Sequence, residues 1–327
     1  MSKIDIVIPC YNYGHFLGAC VSSVLAQSVH DLRILIIDDA STDQSARVAD
    51  ELAKTEPRVS HIVHRENRGH IATYNEGIAW ASGEYFLLLS ADDLLLPGAL
   101  DRAIRIMDDD PSIVMVHGQA SPWQVGRPQP STDASAPFAW RRQNLIDIVC
   151  ESGRNYIFTA TAIVRTAAQK KAGGYNAALP HTADMEMWLR LACQGSVASV
   201  DSPVQAIYRR HANNMSSAYL ARKLIDLEGR KRAFELFFAT APLPGPQRAN
   251  LQRQAFGALA REAYWAGVLR GLRGQVENGR TLLRFAFALA PELRLAPPFA
   301  QLRRTAAYHR AVQALGLGSV IAPIGQG

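Results

Sequence analysis

The run Tyr85-Phe86-Leu87-Leu88-Leu89-Ser90-Ala91-Asp92-Asp93 is apolar until it stops at two adjacent carboxylates. Burying either acid without compensation costs several kcal/mol. A pair at the carboxyl end of a strand therefore calls for a cation or a set of hydroxyls between the two groups. A divalent metal carrying a sugar nucleotide supplies both. The alternative is that the pair caps a helix beginning near Leu96-Pro97, with proline in its first turn.

The elements that must position such a pair follow from periodicity. Apolar strands alternate with helical patterns over the first 120 residues, which is the signature of βαβ units and a mostly parallel sheet. Ile4 to Pro9, Arg33 to Asp38, Val59 to His64, Tyr85 to Ser90 and Ile113 to His117 are expected as strands. Between them Phe16 to Gln27, Ser45 to Lys54 and Ile71 to Ala81 have helical spacing. Ser121 to Phe138 is rich in Pro, Ser, Gln and Gly and reads as a long loop, a length often used for lids. Phe158 to Val164 is strand-like and Met185 to Cys193 helical, and beyond Ser217 the chain is almost wholly helical.

The 327 residues, 48% hydrophobic and 20% charged, imply about two domains with a sizeable core. The net charge of +6 conceals an asymmetry. Residues 1 to 221 carry 19 Lys and Arg against 23 Asp and Glu, a net of −4, whereas residues 222 to 327 carry 16 against 6, a net of +10. No aromatic-interleaved strand or helix-turn-helix pattern accompanies the basic region, so nucleic acid is not an expected partner. Cys10, Cys20, Cys150 and Cys193 are widely spaced without CxxC pairs and are expected as free thiols rather than zinc ligands or disulfides. With no membrane-length apolar stretch and no signal-peptide pattern at the start, a cytoplasmic location is expected.

Four segments in order carry a family resemblance: Ile8-Pro9-Cys10-Tyr11-Asn12, Ile37-Asp38-Asp39-Ala40-Ser41-Thr42-Asp43, Ser90-Ala91-Asp92-Asp93 and Ala183-Asp184-Met185-Glu186-Met187-Trp188-Leu189-Arg190. With Asn67-Arg68-Gly69 and Tyr208-Arg209-Arg210-His211, they closely resemble the family 2 glycosyltransferases, over about residues 3 to 217. The resemblance implies an α/β GT-A fold, with a mostly parallel, Rossmann-like sheet flanked by helices, and a basic helical C-terminal region lying outside the match. The expected division is a catalytic domain over 1–220, with a donor-binding half of about 1–120 and an acceptor half of about 121–220, and a helical region over 221–327. No GxGxxG or GxxxxGK[ST] pattern is present, which argues against dinucleotide and P-loop readings.

The resemblance also implies roles. Asp39 accepts a hydrogen bond from a uracil-type base, the Pro9 to Tyr11 strand end supplies backbone contact, and Tyr11 stacks on the ring or packs in the core. Asp38 and Asp43 are turn and cap acceptors. Asp92 holds ribose hydroxyls and Asp93 binds a divalent cation, Mg or Mn, that bridges the phosphates. His211 approaches the metal or pyrophosphate, or is a structural histidine. Arg209 and Arg210 neutralise phosphate or are solvated. His70 and Thr73 contact the donor. Asp184 is the general base of an inverting transfer. Glu186, off its helical face, is a hydrogen-bonding or acceptor-orienting residue.

The implied activity is transfer of a sugar from a nucleotide-sugar donor, UDP-linked, to a glycan or lipid-linked acceptor. A catalytically degenerate nucleotide-sugar-binding scaffold and a nucleotidyltransferase are the alternatives. Retention of Asp39, Asp92, Asp93 and Asp184 argues against the first, and the missing basic phosphate loop against the second. Leu282-Leu283-Arg284-Phe285-Ala286-Phe287-Ala288-Leu289 and Leu302-Arg303-Arg304 are short amphipathic pieces with cationic flanks. They are expected to rest on the inner face of the cytoplasmic membrane, or else to pack on the core or form a homo-oligomer.

Overall fold

The computed structural model describes residues 2–133, 135–212, 214 and 223–295. The chain forms two compact units, Met1–Ile146 with Asn155–Ser217, and Asp147–Arg154 with Ala218–Gly327. The boundary expected near residue 220 and the piece Leu302 to Arg304 lie outside the described residues.

In the first unit the elements in order are β1 (Ile4–Cys10), α1 (Gly14–Leu25), β2 (Leu32–Asp38), α2 (Ser45–Thr55), β3 (Val59–Val63), α3 (His70–Trp80), β4 (Tyr85–Leu88), β5 (Leu94–Leu95), α4 (Ala99–Asp109), β6 (Ile113–Gly118), β7 (Ala120–Gln124) and β8 (Ala139–Gln143). The helix α5 (Leu145–Ser152) carries the division between units. Then follow a 3-10 turn at Thr159–Thr161, β9 (Ile163–Arg165), α6 (Thr166–Ala172), α7 (Ala183–Ala192), β10 (Ser196–Ser202) and β11 (Ala206–Arg210). An eight-stranded sheet runs β3-β2-β1-β4-β9-β6-β10-β8. Only β9 and β8 run against the other six, so the carboxyl ends of β1, β2, β4 and β6 share one edge.

The strands form where the sequence is both apolar and β-branched. Ile4, Ile6, Ile8, Ile34, Ile36 and Leu87 are buried against α1 residues Leu17, Cys20, Val21 and Val24, which recur on one helical face. One carboxylate inside this core is structural. Asp5 accepts from the Ser82 and Gly83 amides, each at 2.7 Å, and from Arg33, tying together the amino ends of β1, β2 and β4.

A smaller sheet, β5-β11-β7, departs from expectation. Part of the segment read as a long loop is β7, which pairs in parallel with β11 from Ala120↔Ala206 to Gln124↔Arg210. Its Pro122 and polar residues hid the strand, which is tolerable in a short strand at a sheet edge. The strand expected over Phe158 to Val164 is mostly the 3-10 turn, and only β9 joins the sheet.

The second unit contains α8 (Lys223–Thr240), α9 (Gly245–Leu272), α10 (Val276–Leu289) and a 3-10 turn at Pro291–Leu295. Gly267 and Gly279 let α9 and α10 touch backbone to backbone, since a Cβ on Gly267 would meet the Gly279 carbonyl at 2.9 Å. Phe234, Phe237, Tyr264 and Phe287 fill the core. Glu262 accepts from Arg230, Lys223 and Arg154, and despite burial these bonds hold its carboxyl down at about 2. The face of Leu282, Leu283, Ala286 and Phe287, expected to meet a membrane, is buried within this unit. Among the described residues no helix is long and apolar enough to cross a membrane.

Candidate active site

Two loops at the carboxyl ends of β1 and β2 form the first part of the site. Asp38 accepts from the Ser41 amide and hydroxyl, and Asp43 from the Ser45 and Gly14 amides, at 2.8 and 3.2 Å. Asn12 Oδ1 accepts the Thr42 amide at 2.8 Å and so links the two loops. Asn12 and Ala40 both have a φ of 59°, an uncommon conformation for non-glycine residues. The Pro9 backbone lies in the β1–β2 ladder opposite Ile37, and Tyr11 is 46% exposed rather than packed in the core.

Asp39 is buried, and its carboxylate is densely bonded. Oδ1 accepts from His64 Nδ1 at 2.7 Å and the Arg68 amide at 2.8 Å, and Oδ2 accepts from the Gly69 amide at 2.9 Å. Burial by itself raises the pKa of Asp39. The bonds from Arg68, His64 and Gly69 outweigh it and hold the group below the ordinary carboxylate value. Gly69 reaches this position with φ +82°, which side-chain-bearing residues rarely adopt.

The second part is the acid pair. Asp92 and Asp93 are both buried and do not cap α4, whose N-cap is Gly98 without a side-chain bond. The capping alternative therefore fails. Antiparallel pairing of β5 with β11 brings the segment after Ile207 alongside the pair. The Arg209 amide donates to Asp93 Oδ1 at 3.1 Å. His211 Nε2 and Asn214 Nδ2 each approach Asp92 Oδ2 at 3.1 Å. His211, expected at the metal or pyrophosphate or as a structural histidine, is bonded to Asp92, and its ring packs between Tyr13 and Phe16.

Arg209 is not a solvated arginine; only 4% of it is exposed. Its guanidinium lies over the Phe16 and Trp123 rings at 4.9 and 5.6 Å, and its Nε and Nη1 have no hydrogen-bond partner among the described residues. Arg210 is exposed. Burial pushes Asp92 above the ordinary carboxylate value, and burial followed by the charge of Asp92 pushes Asp93 well above it. Among the described residues no three His, Cys, Asp or Glu side chains converge as a metal cage. Two carboxylates deprived of water still fit a hard divalent cation that takes its remaining ligands from phosphate and water.

The third part is Asp184 in the first turn of α7. Its Oδ2 accepts from Asn155 Nδ2 at 2.8 Å and its Oδ1 from the Met185 amide at 2.7 Å. Water reaches part of the side chain, yet the surrounding protein desolvates it enough to push its pKa up to about 6. The charges of Asp184, Asp92 and Asp93 all act on Tyr74 and help burial raise its pKa.

Three expected contacts fall elsewhere. Glu186 is buried in a two-pronged ion pair with Arg190, at 2.7 and 2.9 Å, so it anchors α7 instead of facing an acceptor. Thr73 is buried, with its hydroxyl spent on the Gly69 carbonyl at 3.2 Å, and does not face a donor. His70 Nε2 donates to the Pro180 carbonyl at 2.8 Å, so that nitrogen tethers a loop. Sequence reasoning missed His64, Glu76, Asn155 and Asn214, and it left open the burial of Arg209. A cavity of about 640 Å³ lined by Pro111, Gln143, Cys193 and Ser196 lies at the amino ends of β6 and β10, on the edge opposite these carboxylates.

Residues 5–182 match the model of glycosyl transferase family 2. The chain belongs to that family. An uncharacterized glycosyltransferase of Haemophilus influenzae is 24% identical over 227 residues, covering 66% of this chain and 68% of that protein. Chondroitin synthase of Escherichia coli is 27% identical over 215 residues, covering 65% and 30%. An uncharacterized glycosyltransferase of Nostoc is 35% identical over 115 residues, 35% of this chain and 36% of its own length, so several relatives are matched over only about a third of their length. Among solved structures, S. aureus TarS 1–349 in complex with UDP-GlcNAc superposes with a TM-score of 0.68 at 16% identity, covering 97% of this chain and 91% of that one. The mannosyltransferase PcManGT of Pyrobaculum calidifontis, in complex with GDP-Man and Mn2+, gives 0.59 at 17% identity, covering 97% and 87%. These neighbours share the GT-A fold with this chain.

Proposed function

We propose that this family 2 member is a metal-dependent inverting glycosyltransferase that moves a sugar from a UDP-linked donor to a hydroxyl of a glycan or lipid-linked acceptor, with residues 1–220 as its catalytic domain. The observation that carries the reading is Asp184, a desolvated carboxylate with its pKa at about 6, oriented by Asn155 and the Met185 amide within electrostatic reach of the same tyrosine as the acid pair. At neutral pH such a group is ionised and basic enough to take the acceptor's proton as its oxygen attacks the anomeric carbon. Attack from the side opposite the nucleotide inverts that carbon without a covalent intermediate.

The donor base meets Asp39 and the ring of Tyr11, and Asp92, held by His211 and Asn214, faces the ribose hydroxyls. Asp93 would hold Mg or Mn, with His211 reaching the pair through Asp92, and the metal when bound supplies the positive charge that stabilises the departing diphosphate. Arg209 adds a second, built-in cation whose Nε and Nη1 have no partner among the described residues. Peripheral membrane contact, if made by the helical unit, falls to the exposed row Trp265, Leu269 and Leu272 of α9, beside Arg261 and Arg273.

A panel of nucleotide sugars, screened for thermal stabilisation in Mn2+ against chelator and followed by turnover with the best donor, tests the reading. Metal-dependent stabilisation by UDP-sugars and an inverted product are expected. Stabilisation by none, or a product of retained configuration, would contradict it.

A further inference from the structure

The donor-base end carries a specificity determinant that deepens the reading above and rests on it. An ionised carboxylate offers about four lone-pair positions, two on each oxygen. On Asp39 both positions of Oδ1 are taken, by His64 Nδ1 at 2.7 Å and the Arg68 amide at 2.8 Å. One position of Oδ2 is taken by the Gly69 amide at 2.9 Å. Among the described residues, a single position on Oδ2 is left.

The clamp is held from behind. His64 Nε2 lies 3.0 Å from Glu76 Oε2, and Arg68 Nη1 donates to the same oxygen at 2.7 Å. His64 Nδ1 faces a carboxylate oxygen and so donates to it, and with Glu76 Oε2 at 3.0 Å and Arg68 Nη1 at 3.5 Å from Nε2 the ring is held against Asp39. His64 is itself buried, directly after β3.

We propose that His64, by occupying Asp39 Oδ1, makes this carboxylate a one-bond acceptor and so selects a base with a single imide N–H between two carbonyls, of the uracil or thymine type, over guanine. Guanine presents two adjacent donors, N1–H and N2–H, that require both oxygens of a carboxylate. Against this clamp one of them meets a filled acceptor and stays unpaired, and such an unpaired buried group is a strong basis for discrimination. His64 is a positioning residue here and touches no ligand.

The test is calorimetric titration of the full chain in Mn2+ with UDP and with GDP, for wild type, His64→Phe, His64→Gln and Glu76→Ala. Wild type is expected to prefer UDP by about tenfold or more, the worth of one hydrogen bond to a charged group. His64→Phe frees Oδ1 and should bring the two affinities within about threefold, and His64→Gln, which keeps a donor, should hold most of the preference. Glu76→Ala releases the ring at a half-buried position and should narrow the preference by less, which provides the reading if His64→Phe does not fold. A merely structural role would weaken both nucleotides equally and leave the ratio untouched. An unchanged ratio in His64→Phe, or in Glu76→Ala where His64→Phe is unfolded, would overturn the inference. Equal binding of UDP and GDP by wild type would overturn it and leave the donor reading standing. Binding of neither would sink both.

Discussion

Asp39 and the Asp92–Asp93 pair follow strands of one sheet at the same edge, yet their carboxylates are held in opposite ways. Asp39 receives three N–H donors and sits below the ordinary carboxylate value. Asp93 receives one backbone amide and is pushed well above it by burial and by its neighbour. The difference teaches which end of the site is complete. On the proposed reading, the base end at Asp39 has its charge satisfied by protein and needs only a donor that fits. The phosphate end proposed at the acid pair is short of positive charge, and Arg209 alone, stacked on Phe16 and Trp123, does not remove the deficit. Asp184 belongs with the second kind, since desolvation raises its basicity.

The largest expected effect separates Asp184 from both. Asp184→Asn should lower turnover by about 10²- to 10⁴-fold, the usual worth of a general base, while UDP affinity measured by calorimetry stays within about twofold of wild type. Loss of donor binding instead would make Asp184 a structural residue. Next, Asp93→Ala should abolish the Mn2+-induced thermal shift and cost about ten- to a hundredfold in donor affinity in the presence of metal. An unaltered shift would remove Asp93 as the ligand.

Linkage gives a smaller effect with a definite sign. The folded-state pKa of Asp184, about 6, is raised above its ordinary 3.8, so between those values the folded state holds a proton that the unfolded state has released. Stability therefore falls as pH rises from about 4 to 6, by at most about 3 kcal/mol from this group. Urea denaturation without metal should show that slope in wild type and a shallower one in Asp184→Asn. Equal slopes would mean that the carboxylate is not desolvated. The turnover of wild type should rise over the same window as the base ionises. Smallest of all, Ala40→Gly should stabilise the chain by about 1 kcal/mol, because Ala40 holds a φ of 59° that glycine adopts without a Cβ penalty. A destabilised variant would show that the loop between Asp39 and Asp43 is not strained.

The strands β1, β2, β4 and β6 and their helices were legible because each is an apolar run or a clear helical face bounded by polar turns. The strand β7 was not, since its partner β11 lies 86 residues on, from Ala120 to Ala206, and no local pattern records that pairing. The same limit applies at the site. Asp92, Asp93 and Asp184 announce themselves as acids at strand and helix ends. His64 and Arg209 look like surface residues in the sequence and become buried only through tertiary neighbours: Asp39 and Glu76 for the one, Phe16 and Trp123 for the other. Thr73 was misread for the converse reason, as a polar group whose partner, the Gly69 carbonyl, is one helical turn away, and Glu186 takes the hydrogen-bonding one of its two expected roles, with Arg190 one turn on.

The central claim is that the base end is complete and the phosphate end is not. Calorimetric titration of wild type with UDP, once in Mn2+ and once in chelator at the same pH, tests it most directly. Affinity at least tenfold higher with Mn2+ is expected, because two buried like charges otherwise face the diphosphate. Equal affinity in metal and chelator would contradict the claim and would make Arg209 a sufficient counter-ion for the acid pair.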